Sequence, residues 1–180
     1  MDRPRPTAFL RALFALCLLA GLSAGAAARA ADDTSPAGTP LDWFIGAWDV
    51  RLRAAGEADF PARRSFQWQV RPALDGRWLA GTVLVDGAVF THEFAGGDEH
   101  GLVRRIFAAD GSHVSFRSSG WDGDELLWTG RLVRDGEVLE LRERIRRDGD
   151  DLAWADYEIL EDGRWQPLQT ERLDRRQTRN

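Results

Sequence analysis

From Gly46 onward, apolar and polar residues alternate in short runs separated by turn-forming pairs. Phe66, Trp68 and Val70 alternate with Ser65, Gln67 and Gln69, and Val114 and Phe116 with Ser115 and Arg117. Leu126, Trp128 and Leu132 share one parity, as do Leu139, Leu141 and Ile145. Successive side chains of a strand point to opposite faces, so a period of two marks strands with one buried face. By the same rule Phe90 and Phe94, alternating with Thr91 and Glu93, carry His92 to the buried side with them.

Asp-Gly pairs punctuate these runs at 75–76, 86–87, 110–111, 122–123, 135–136, 148–149 and 162–163, and the glycine-rich stretch 96–101 fills the long gap. Asp-Gly suits the type I′ hairpin turn, whose two central residues both need positive φ. Hairpins at this regular spacing predict a meander, each strand pairing with the next. A strand over 46–54 brings the total to about ten, and only residues 41–45 suit a turn of helix. A meander must hide its two edges, which closure into a barrel does completely. The predicted fold is therefore all-β: a single antiparallel meander β-barrel with a short N-terminal helical turn, of a size whose lumen suits a small ligand. A two-sheet sandwich would need crossover connections, and the pattern contains none.

The first thirty residues fall outside this pattern. Arg3, Arg5 and Arg11 precede an almost wholly apolar run over 12–24, and Ala28-Arg29-Ala30 follows. That order is what a signal peptidase reads, with the cut expected after Ala30. The run is shorter than the roughly 18 apolar residues that argue for a membrane span. Residues 31–40 read as a disordered lead-in, 41–176 as the barrel and 177–180 as a tail. The expected location is the periplasm or the exterior.

Removing the leader changes the chemistry. Cys17, the one cysteine, goes with it, so the mature chain has no disulfide and no thiolate metal ligand. Four arginines and one aspartate also go, moving the net charge from −5 to −8. An acidic surface argues against nucleic acid and anionic membrane as partners.

The segment Trp43-Phe44-Ile45-Gly46-Ala47-Trp48-Asp49-Val50 resembles the Gly-x-Trp opening of lipocalins and their calycin relatives. It is more closely similar to a bacterial lipocalin-like family of uncharacterised function whose members begin Phe-Trp-x-Gly-x-Trp-x-Val; here the order of the first two residues is reversed. The likeness continues through Leu74-Asp75-Gly76-Arg77-Trp78 and Asp162-Gly163-Arg164-Trp165, with Glu171-Arg172 after it. It implies a lipocalin-like barrel whose closed end pairs the opening tryptophan with an arginine of the last strand. Gly46, Trp48 and Arg172 are the expected closing residues, with Arg175 or Arg176 behind Arg172. The physical basis of such a pair is a guanidinium stacked on an indole face while it bonds nearby carbonyls.

The alternation also nominates polar residues for the lumen. His92 shares the Phe90/Phe94 face, Glu143 the Leu141/Ile145 face, and Tyr157 the parity of Ala153, Ala155 and Ile159. Arg104 and Arg105 adjoin, so one of them points inward in either register; Arg104 is taken as the candidate. His92, Arg104, Glu143 and Tyr157 would then form a polar group in an apolar cavity, the usual make-up of a binding pocket. His92, His100 and His113 match no metal-binding spacing, and a haem would have His92 alone as its lumenal ligand. No cofactor or metal is expected. The chain has no Gly-x-Ser-x-Gly, no mature cysteine and no phosphate-binding loop, so no motif for catalysis stands out. The leading expectation is an exported protein that holds a small, partly apolar molecule in its lumen. The alternatives are a filled barrel serving as an interaction module for another envelope protein, or an acid/base enzyme using His92 or Glu143.

Overall fold

A computed structural model describes residues 39–61 and 64–177. The signal segment, most of the lead-in and the last three residues of the tail lie outside the described residues. A short 3-10 helix, Asp42–Phe44, precedes β1 (Gly46–Ala54), β2 (Ser65–Ala73), β3 (Trp78–Val85), β4 (Ala88–Asp98), β5 (Gly101–Ala108) and β6 (His113–Ser118). There follow the two-residue β7 (Trp121–Asp122), then β8 (Glu125–Arg134), β9 (Glu137–Arg147), β10 (Leu152–Glu161) and β11 (Arg164–Arg175).

Every pairing is antiparallel, each long strand lying beside the next. β1 pairs with β11 from Trp48↔Arg175 to Ala54↔Gln169, and β6 pairs directly with β8, so the sheet closes into a ten-strand barrel with β7 as a short addition at β8. Among the described residues, the single barrel of about ten strands and its one helical turn thus match the expectation from the pattern. Asp86-Gly87, Asp135-Gly136 and Asp162-Gly163 both take positive φ, as type I′ turns require. Among the described residues no helix is long and apolar enough to cross a membrane.

Buried side chains follow the predicted parity on most strands. Trp48, Val50 and Leu52 face inward from β1, Trp68 and Val70 from β2, Leu126, Trp128 and Leu132 from β8, and Leu141 and Ile145 from β9. β4 is the exception. A register shift between Val83 and Leu84 leaves Phe90 out of the β3–β4 ladder, so the residues on either side of it change face. Glu93 is buried, while His92 is exposed and Phe94 stands outside at 45% exposure. Phe107, opposite His92 on β5, is likewise outside at 48% and stacks on His113.

One end of the barrel is capped by the helix. Thr39 donates its hydroxyl to Asp42 Oδ1 (2.6 Å) and its backbone N–H to Asp42 Oδ2 (3.0 Å), which fixes the entry to the turn. The Trp48 indole N–H donates to the Phe44 carbonyl (2.8 Å). The arginine stacked on Trp48 is Arg175, with its guanidinium carbon 4.1 Å from the ring centroid. It donates through Nη1 to the Ile45 carbonyl (2.5 Å), through Nη2 to Trp43 (2.5 Å) and through Nε to Asp150 (3.1 Å). Arg172, the expected partner, instead lies on the outer face, bonded to Asp174 and set over Trp154. Parity decides between them: Glu171, Leu173 and Arg175 alternate inward, and Trp48 pairs directly with Arg175. Gly46 holds φ +134°, and a Cβ there would stand 2.9 Å from Arg175 Nη1, so the arginine needs this glycine.

Loss of the cap should follow that geometry. Trp48→Ala is expected to cost about 3–5 kcal/mol as a deleted core aromatic. Arg175→Ala should cost about 2–4 kcal/mol, because the stack goes and part-buried carbonyls lose their donor. Arg172→Ala should stay below about 1 kcal/mol, as expected for a solvent-screened pair. Urea denaturation of the three variants measures all of these, and equal losses for the two arginines would refute the assignment.

Candidate functional site

Beyond the capped end, the barrel interior holds a connected polar cluster. Each member is brought in by strand alternation: Trp68 from β2, Glu93 from β4, Arg104 from β5, Glu143 from β9, Tyr157 from β10, and Gln169 and Glu171 from β11. Arg104 donates from Nε to Glu93 Oε2 and from Nη1 to Glu143 Oε2, both at 2.7 Å. The Tyr157 hydroxyl donates to the other Glu143 oxygen at 2.8 Å. The Trp68 indole N–H donates to Glu93, and Gln169 Nε2 donates to Glu171 at 2.9 Å.

Glu93 fits because of what lies opposite it. It pairs with Gly81, where a Cβ would collide with the Glu93 side chain, so a glycine in the middle of β3 makes the space. Glu93, Glu143 and Glu171 are 3%, 2% and 6% exposed, and Arg104 is 9% exposed, so water screens these groups little. Burial works against the Arg104 charge, but Glu143 and Glu93 outweigh it and hold the guanidinium well above its ordinary value. Burial, with Glu143 and Glu171 nearby, raises the Tyr157 phenol well above its usual range, so it stays a donor. Glu171 is pushed up to about 8, first by burial and then by Glu143, with Arg104 acting in the opposite sense.

The space around the cluster is uneven. Between the cap and Arg104, a cavity of about 20 Å³ is lined by Phe44, Trp68, Leu79, Glu93 and Trp128, room for about one water. Toward the far end, the inward-facing Phe66, Val83, Ile106, Val114 and Leu139 are half-buried, while Leu132, paired with Val114 and Leu139, is fully buried. They form an apolar rim above a polar floor. At a register shift between Tyr157 and Glu158, Tyr157 and Gln169 also line a groove of about 450 Å³. Its other walls include Arg142, Arg144, Asp156 and Glu158 from the outer face. Arg142 pairs with Glu158, and Arg144 with Glu125 across 3.2 Å, so the charges there offset one another.

Of the residues nominated from the sequence, the structure brings Arg104, Glu143 and Tyr157 into one hydrogen-bonded group. His92 is not among them; it lies outside, facing Thr82, and could not serve a lumenal haem or acid/base step. Glu93, Glu171, Gln169 and Trp68 are the members that sequence reasoning missed. The usable signals were the glycine at 81 and the shared parity of Gln169, Glu171 and Leu173. Among the described residues, no group of three or more His, Cys, Asp or Glu side chains could hold a metal ion.

The cluster should behave as a unit. Arg104→Leu is expected to cost about 3–5 kcal/mol, since it strands two buried carboxylates. Adding Glu93→Gln and Glu143→Gln should recover most of that loss, measured by chemical denaturation of the single and triple variants. A triple variant less stable than Arg104→Leu would contradict the electrostatic account.

Comparison with known proteins supports the fold. No protein-family model matches the chain, and no curated protein matches it either. Among solved structures, the crystal structure of Rv2717c from M. tuberculosis is similar over 81% of this chain and 100% of that one, with 18% identity and a TM-score of 0.54. The structure of EF1p2_mFAP2b bound to DFHBI is a remoter likeness, with 14% identity, 76% and 97% coverage and a TM-score of 0.37. The likeness to the first of these shows the fold alone, a closed antiparallel barrel.

Proposed function

We propose that the protein is an exported carrier whose barrel takes a small, partly apolar molecule at its uncapped end. The observation that carries this reading is the layering of the interior, an apolar half-buried rim over a fixed polar floor. Such a site removes apolar surface from water and orients the guest through a few set hydrogen bonds. Export rests on the leader read in the sequence.

The floor also restricts the guest's charge. Glu93 and Glu143 face one guanidinium, so that triad carries one negative charge in excess. An anionic head group would add like charge in a poorly screened interior, whereas a neutral or positively charged one would not. The guest is therefore read as a neutral or cationic amphiphile.

Environment-sensitive fluorescent probes of one chain length and different head groups test this. A cationic or neutral probe should bind about tenfold or more tightly than its carboxylate analogue, a difference of about 1.4 kcal/mol. Ile106→Ala should weaken binding about tenfold by removing rim contact, while Arg144→Ala in the outer groove should leave it within about twofold. Tightest binding by the carboxylate probe would overturn the charge rule, and sensitivity to Arg144 alone would move the site to the groove.

A further inference from the structure

Glu171 stands apart within the interior cluster. Arg104 commits Nε to Glu93 and Nη1 to Glu143, and Tyr157 donates its hydroxyl to Glu143. Glu171 has neutral partners, the Gln169 amide donating at 2.9 Å and the Tyr157 hydroxyl, and among the described residues no ion pair reaches it. It sits mid-strand on β11, opposite Leu52 of β1 and Ala155 of β10, both apolar. The charged and titratable groups that act on it are Tyr157 from β10, Glu143 from β9, Arg104 from β5 and Glu93 from β4, with β1 contributing none. A carboxylate at 6% exposure with no cation of its own would add a second uncompensated charge to an interior already negative. A carboxylic acid there adds none.

We propose that Glu171 is carried in the folded barrel as a neutral carboxylic acid, and that its ionisation is a pH switch that doubles the excess negative charge facing a guest. The effect on a guest rests on the carrier reading above; the proton itself does not. Burial and the neighbouring Glu143 push this group from 4.5 up to about 8. Between those two values the folded chain holds a proton that the unfolded chain has released. The stability contributed by this group is thus fully present below 4.5 and is lost as the pH rises through about 8.

Chemical denaturation of the wild type and Glu171→Gln across this range provides the test. The amide imitates the neutral acid, so the folding constant of the variant relative to the wild type should rise by up to about tenfold per pH unit and then level off above about pH 8. Infrared spectra of the wild type should show a buried carboxylic acid band at about pH 6 that disappears by about pH 9.5 and is absent from Glu171→Gln. Parallel stability curves, or a wild type without that band at about pH 6, would overturn the proposal, and the infrared result decides alone should the variant not fold. A cationic probe should bind the wild type more tightly above about pH 8 and Glu171→Gln equally at both pH values; an unchanged wild-type affinity would overturn the charge effect. If the infrared band is present and no probe binds at either pH, the carrier reading fails while the protonated Glu171 stands.

Discussion

The seam between β1 and β11 turns a meander into a barrel, and the Trp48–Arg175 stack holds it at one end. Hairpin pairings join neighbours in sequence, with turns that favour them locally. The seam joins strands more than a hundred residues apart, so it must offset a large loss of chain entropy with contacts that form only on closure. Arg175 concentrates several such contacts. One guanidinium covers the indole that plugs the barrel and satisfies carbonyls of the helical turn and of the β9–β10 loop. The turn then closes the end with Phe44 packed against Trp68 and Trp121. Gly46 is bound to the same requirement, since any side chain there would displace the arginine.

With one end plugged, polar groups in the interior have little water to turn to. Arg104 answers this by satisfying two carboxylates from different walls, β4 and β9, and thereby cross-braces the barrel. The brace does not include Glu171, which lies on the seam beside Leu52. A charge there would weaken the joint on which closure depends, which is why a neutral acid suits that position. The same strand therefore carries both the cap and the unpaired interior carboxyl. Conditions that ionise Glu171 would act on the seam and the lumen together.

Much of this was legible in the sequence because period-two alternation and Asp-Gly turns are local signals. Trp48, Trp68, Leu126, Trp128, Leu141 and Ile145 take the faces that the pattern assigns to them, and so do Glu143 and Tyr157. The failures arise where a local rule depends on register. At β4 the shift beside Val83 reverses the apparent face, and the phenylalanines that suggested a buried side are those left partly exposed. His92 went out with them and Glu93 came in. The choice of Arg172 over Arg175 failed for a related reason: the pairing of the first strand with the last is a tertiary fact, and only it shows which arginine meets Trp48.

The pairing of Glu93 with Gly81 shows how such a reversal could have been found. An inward glutamate in a β-barrel needs a charge partner and room for its side chain, and the second need leaves a mark on the neighbouring strand. Gly81 lies mid-strand between Ala80 and Thr82, away from any turn, where glycine otherwise costs stability. Its position makes sense only if something large crosses over it, and Glu93 is the residue that its register places there. A likeness of backbone to other barrels carries none of this, because the cluster is set by which side chains each strand turns inward. The chemistry available to a guest is therefore written in pairs of residues across strands, a missing side chain on one and a charge on the other.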